Sequence, residues 1–163
     1  MLISVFLVTL ITGCGTVPRI PAAADPAVVR DRSAQDASAL RSAIAFHALS
    51  TVGTPYTPGG GSLESGFDCS GLVAYVFRRA SRLELPRTTF ELSRVGHQVD
   101  PADLQPGDLV FYDTQRRAYS HVGIYLGEQR FIHAPSSGGT VRIEDMGFDY
   151  WLHRFNGARR VAP

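Results

Sequence analysis

Gly66-Phe67-Asp68-Cys69-Ser70-Gly71-Leu72-Val73-Ala74-Tyr75-Val76-Phe77 is the stretch on which the reading of the fold turns. From Cys69 onward, positions 69, 72, 73, 76, 77 and 80 carry Cys, Leu, Val, Val, Phe and Ala. That is the i, i+3, i+4, i+7 spacing of a helix burying one face. Asp68 stands just before it, where a short carboxylate can accept the free amide hydrogens of the first turn. The pattern predicts a helix with Cys69 in its first turn. Unpaired amides and the helix dipole favour an anion there, so a thiol at that place leans toward thiolate. The thiolate is the form that attacks carbonyl carbon. A lone cysteine is as readily a small buried hydrophobe, and only a second group able to take its proton separates the two readings.

Upstream, Thr54-Pro55-Tyr56-Thr57-Pro58-Gly59-Gly60-Gly61 is a loop by composition. Its glycines allow close backbone approach to a ligand or simply a turn. Tyr56 can offer its hydroxyl to a developing oxyanion or pack. Before it, Asp36 to Val52 returns to helical spacing, with Asp36 or Ser38 as cap and Gly53 as stop. His47 on that helix is given no role. Downstream, Leu85-Pro86-Arg87 breaks the chain, and Thr88 to Arg94 fits a short helix with Thr88 and Glu91 spaced as a capping box. Gly96 stops it and His97 falls in an exposed loop.

The remainder reads as sheet. Leu109 to Tyr112 follows a Pro106-Gly107-Asp108 turn, and Ser120 to Leu126 alternates with His121, Gly123 and Tyr125 on one face. A turn at Gly127 to Gln129 leads into Arg130 to Ala134. Gly138-Gly139 leads into Thr140 to Ile143, and Trp151 to Phe155 with the following tail reads as a last strand. Helices first and antiparallel strands afterwards indicate an α+β fold. The hairpin about Gly127 sets His121 and His133 roughly opposite, close enough for one imidazole to orient the other. A cysteine at a helix start needs a base, and the base needs a third group to fix its tautomer. The histidines fit those two posts, and they fit equally an ordinary strand pair or a metal-binding pair. A zinc site would need a further ligand, and no ligand-dense motif is present.

The bulk properties narrow the classes. The chain has 163 residues, enough for one domain with a core, and a net charge of +1, which argues against nucleic acid as partner. All 16 basic residues are arginine. The two cysteines are Cys14 and Cys69. Residues 2 to 11 are almost wholly apolar, the length of a signal-peptide core and too short to span a bilayer. Leu10-Ile11-Thr12-Gly13-Cys14 resembles a bacterial lipobox, although no basic residue precedes the apolar core. That resemblance implies a signal peptide over 1–13 and a lipidated Cys14 that anchors the chain to a membrane. Gly15 after it points, for a Gram-negative source, to the outer membrane facing the periplasm. Residues 14–35 then read as a Pro- and Ala-rich flexible tether, and 36–163 as the domain. Without Cys14 in play, Cys69 is an unpaired thiol in an exported protein.

Several of these segments together resemble the NlpC/P60 family of cell-wall cysteine peptidases. They are Asp68-Cys69-Ser70-Gly71-Leu72-Val73, Ser120-His121-Val122-Gly123-Ile124-Tyr125-Leu126-Gly127 and Phe131-Ile132-His133-Ala134. Gly53-Thr54-Pro55-Tyr56, Leu85-Pro86-Arg87-Thr88-Thr89 and Leu104-Gln105-Pro106-Gly107-Asp108-Leu109-Val110-Phe111 join them, with Thr89 where the family more often has serine. The resemblance covers about Ala43 to Phe155 and is nearest to small lipoprotein endopeptidases. It implies a papain-like domain with the nucleophile helix packed on an antiparallel sheet, hydrolysing peptide bonds in peptidoglycan stems or crosslinks; separately, the domain is read as a monomer. It further implies Cys69 as nucleophile, His121 as base, His133 as orienting residue, and Tyr56, Asp68, Ser70 and Arg87 as oxyanion or substrate contacts. No metal or organic cofactor is implied. Two other readings stand beside it: a lipid-anchored, non-catalytic wall-binding scaffold, and an amidase or acyltransferase on the same fold.

Overall fold

The computed structural model describes residues 25–161, so the leader, Cys14 and the first part of the tether lie outside the described residues. In chain order the elements are α1 (Pro26–Leu49), β1 (Gly61–Ser62), β2 (Gly66–Phe67), α2 (Cys69–Ser81), α3 (Thr89–Leu92), β3 (His97–Val99), a 3₁₀ turn (Pro101–Asp103), β4 (Leu109–Tyr112), β5 (His121–Gly127), β6 (Arg130–His133), β7 (Arg142–Asp145), α4 (Asp149–Leu152) and β8 (Phe155–Arg160). β1 and β2 form a small ribbon; the other six strands form one antiparallel sheet in the order β3-β8-β4-β5-β6-β7. This is the α+β arrangement the sequence indicates. Among the described residues no helix is long and apolar enough to cross a membrane.

Helix α2 forms where its periodicity places it. Leu72, Val73, Val76 and Phe77 are fully buried, and they pack with Ile44 and Ala48 of α1 against Leu109, Phe111, Val122, Ile124 and Ile132 of the sheet. Asp68 caps it, accepting from the Gly71 N–H at 2.6 Å. The opposite sheet face carries Val110, Tyr112, Tyr125 and Phe131 under Trp151 of α4. Strand β4 is thus buried on both faces, which explains its unbroken apolar run, Leu109-Val110-Phe111-Tyr112.

The loop before α2 lies hard against the helix start. Gly60 O accepts from Asp68 N at 3.2 Å, and a Cβ at Gly71 would meet that same oxygen at 2.0 Å. Gly71→Ala is expected to push the glycine loop off the helix and to lower stability by about 1–3 kcal/mol, the usual cost of overpacking. An unchanged urea midpoint would contradict this close packing.

Three expectations need correction. Residues 26–35, read as flexible tether, are helical: α1 begins at Pro26 and not near Asp36. Asp25 caps it, accepting from Ala27 N at 2.8 Å, and Asp25-Pro26 is a cap followed by first-turn proline, a start signal that the search for apolar periodicity passes over. Side chains described from Ala27 to Asp36 are exposed, and packing on the domain sets in only around Leu40 and Ile44. Trp151 lies in α4, and the last strand starts at Phe155. β8 is polar, and it is held by pairing with β4 on one side and β3 on the other. His97 is exposed as expected, yet it belongs to a strand.

The hairpin register also differs. The turn between β5 and β6 has only Glu128 and Gln129 at its centre, with φ of 51° and 60°, the left-handed pair of a type I′ turn. A bulge at Leu126 shifts the register, so Ile124 faces Ile132 and the next pair places Gly123 beside His133. Continuing that register makes His121 diagonal to His133, and Gly123 leaves room for the Phe131 ring, which a Cβ there would meet at 2.6 Å.

Candidate active site

Cys69 is the first residue of α2 and is partly buried against the main core. The N–H groups of Val122, Ser70 and Cys69 itself point at its sulfur. Val122 follows His121 directly, so this contact brings the start of β5 to the thiol. His121 and His133 are each 1% exposed. The Nε2 of His121 and the Nδ1 of His133 are 2.7 Å apart and share one proton-bearing bond. Nδ1 of His121 and Nε2 of His133 are buried with no hydrogen-bond partner. Trp151 stacks on the His121 ring at 5.9 Å and stands edge-on to His133 at 5.1 Å. That indole fixes both imidazoles, a role invisible while Trp151 is read as part of a strand.

For His121 to accept a proton at Nδ1, its Nε2 must carry the hydrogen and donate to His133 Nδ1. His133 is then protonated at Nε2, which faces Glu144 Oε1 at 3.9 Å. Burial drives His121 down to about 4, reinforced by the Arg142 charge. Burial, His121 and Arg142 hold His133 lower still. Both rings rest neutral.

The thiol departs from expectation. Burial, followed by the neighbouring Asp68 carboxylate, pushes Cys69 up to about 11 against the N–H groups that favour the anion. The helix start therefore does not prevail: desolvation exceeds it, and the resting couple is thiol plus neutral imidazole, not a preformed thiolate. With His121 in the role of base, the acid limit follows: it would be competent while neutral, so kcat/KM is expected to hold nearly constant from about pH 7 to pH 5 and to fall about ten-fold per unit below pH 4. An acid limb near 6.5 would show an unperturbed base. Stability moves the same way. Between 6.5 and about 4 the unfolded chain binds the proton that native His121 refuses, so stability is full above 6.5 and is lost as pH falls through that window.

Tyr56 sits beside Cys69. Burial, then the Cys69 and Asp68 charges, raise its hydroxyl, so it stays a proton donor. Its backbone is tied down by a bond from Tyr56 N to Gly139 O at 2.9 Å and a bridge to Phe67. Asp68, Ser70 and Arg87 form one cluster. The Ser70 hydroxyl lies between Asp68 Oδ1 (3.0 Å) and Arg87 O (2.7 Å). Arg87 Nη2 donates to Asp68 Oδ2 at 3.3 Å and to Gly59 O and Gly60 O at 3.3 and 3.2 Å. These residues fasten the glycine loop to the helix start, and Arg87, with 45% of its side chain exposed, is the one that still faces solvent. A cleft of about 630 Å³ is lined by His121, His133, Ser136, Arg142, Glu144 and Trp151 among others. Among the described residues no group of His, Cys, Asp and Glu is placed to hold a metal.

Residues 53–160 match the sequence profile of the NlpC/P60 family. The chain is 40% identical over 116 residues to murein DD-endopeptidase MepH of Escherichia coli K12, covering 69% of this chain and 43% of that protein. It is 47% identical over 105 residues to the K12 protein named murein DD-endopeptidase MepS/murein LD-carboxypeptidase, covering 63% and 53%. The chain thus spans about half the length of these curated relatives. The crystal structure of an NlpC/P60 family protein from Bacillus cereus is similar, with a TM-score of 0.69 at 29% identity over 76% of this chain and 40% of that one.

Proposed function

The chain belongs to the NlpC/P60 family, and from that membership we propose that it is a peptidoglycan endopeptidase using Cys69 as nucleophile, His121 as general base and His133 as orienting residue. The observation that carries the reading is the buried, unpartnered Nδ1 of His121, whose Nε2 is tied to His133 and whose chain neighbour Val122 reaches Cys69 through its backbone amide. In the first step Nδ1 takes the thiol proton as sulfur bonds to the carbonyl carbon of the scissile amide. Charge collecting on the carbonyl oxygen is met by the Cys69 backbone amide and by the Tyr56 hydroxyl. Collapse breaks the C–N bond, and the imidazolium returns its proton to the leaving amine, leaving a thioester. Water then gives a proton to His121, its oxygen adds to the thioester carbon, and the thiol is released with the new carboxylate.

The names of the two curated relatives support a murein D,D-crosslink as the bond. Asp68, Ser70 and Arg87 would border the substrate, with Arg87 supplying the exposed charge. The apolar leader and Cys14 support placement at the outer membrane through a lipid anchor, facing the periplasm, with the domain acting as a monomer. The test is digestion of purified sacculi followed by mass spectrometry of the released peptides. Fragments cut at D,D-crosslinks are expected. Release of nothing, from sacculi or from isolated stem peptides, would leave a wall-binding scaffold as the better reading.

A further inference from the structure

We propose that Glu144 is a positioning residue that extends the Cys69–His121–His133 set to a fourth member by selecting the ring tautomers of both histidines. The inference rests on the reading of Cys69 as nucleophile and His121 as its base. Strands β6 and β7 pair with His133 opposite Arg142 and Phe131 opposite Glu144, and alternation puts Arg142 and Glu144 on the face that carries His133. Glu144 Oε1 accepts from Arg142 Nε at 2.6 Å and lies 3.9 Å from His133 Nε2. The first contact fixes the carboxylate. The second is a span closed by a rotation of the carboxylate as substrate binds.

The selection follows from the histidine pair itself. Its single hydrogen bond has two arrangements. In one, His121 Nε2–H donates to His133 Nδ1, His121 Nδ1 is bare, and His133 carries its hydrogen on Nε2. In the other, His133 Nδ1–H donates to His121 Nε2, and His121 Nδ1 carries a hydrogen and cannot take one from the thiol. Only the first arrangement presents an N–H to Glu144, so an acceptor there favours the competent pair. The carboxylate also offsets Arg142, whose charge otherwise opposes the imidazolium formed during attack. The charged or titratable groups facing His133 are His121 from β5 and Arg142 and Glu144 from β7; α4 contributes the uncharged ring of Trp151.

The decisive measurement is the ring-nitrogen NMR spectrum of His133 in the resting protein at neutral pH, beside steady-state kinetics on crosslinked muropeptides. The wild-type protein is expected to show hydrogen on Nε2 alone. Glu144→Ala is expected to show a mixture of the two tautomers and a kcat lower by about ten-fold, with KM within two-fold. Glu144→Asp is expected to restore the wild-type spectrum. Glu144→Leu, close in volume and without an acceptor, gives the same readout if alanine weakens the edge strand. A His133 ring still wholly protonated at Nε2 in both Glu144→Ala and Glu144→Leu would overturn the proposal. The spectra need no substrate, so failure of the wild-type protein to cut muropeptides would strike the peptidoglycan reading while the ring spectra alone decide the role of Glu144.

Discussion

Cys69→Ala is expected to release no peptides from sacculi above background, a loss of about four to six orders of magnitude, as nucleophile deletions in covalent hydrolases give. Fold and stability should survive, because the thiol is only partly buried and alanine is a good first-turn residue. Cys69→Ser is expected to be nearly as inert. Its hydroxyl holds the proton more tightly than a thiol, and a neutral imidazole already depressed to about 4 is a weak base for it. Iodoacetamide should inactivate the wild-type protein in step with modification of Cys69. Equal peptide release by wild type and Cys69→Ala would remove the cysteine from the mechanism. Release by neither would point away from hydrolysis altogether.

The second large effect concerns stability and lies far from the thiol. Asp108 is 1% exposed and uses both oxygens. Arg160 Nε donates to Oδ1 at 2.8 Å, Arg160 Nη2 to Oδ2 at 2.7 Å, and Gln105 N also to Oδ2 at 2.8 Å. The pair joins the turn before β4 to the end of β8. Asp108→Ala takes the carboxylate from a guanidinium that then keeps only the bond from Nη2 to Asp103 O at 2.9 Å, and is expected to cost about 3–5 kcal/mol, a fall in Tm of about 10 °C or more. Replacing both by apolar residues, Asp108→Leu with Arg160→Met, should recover much of that loss, because two charges then no longer need desolvation. If Asp108→Ala unfolds at the wild-type temperature, the pair is not holding β8 to β4. If the double variant is as unstable as the sum of the single ones, the two side chains are not coupled.

The helix that bears Cys69 was legible because two independent signals agree there: a cap at Asp68 and apolar spacing to Phe77. The histidine pair was legible by residue type and by the turn between the strands. Its geometry was not, because the two-residue turn and the bulge at Leu126 set a register that residue counting misses. Thr88 and Glu91 behave as a cap pair, with the Thr88 hydroxyl donating to the Glu91 carboxylate at 2.6 Å and accepting from Glu91 N at 3.2 Å. Arg142, Glu144 and Trp151 went unseen for a common reason. Each reaches the site across the sheet or from a covering helix, and local periodicity carries no record of which face a distant strand will share. The thiol's proton affinity was misjudged for the same cause: the helix start is local, whereas the desolvation that outweighs it comes from the assembled core.

The placement of β8 bears on when the domain can exist at all. Its strand lies between β3 and β4, yet its residues are synthesised after those of every other strand in the sheet. Until they arrive, β4 has an open edge where a neighbour belongs and β3 has no partner in the sheet. A nascent chain therefore has no route to the closed fold from its first half. Late completion means that the sheet seating His121 and His133 closes only once the last strand has been made.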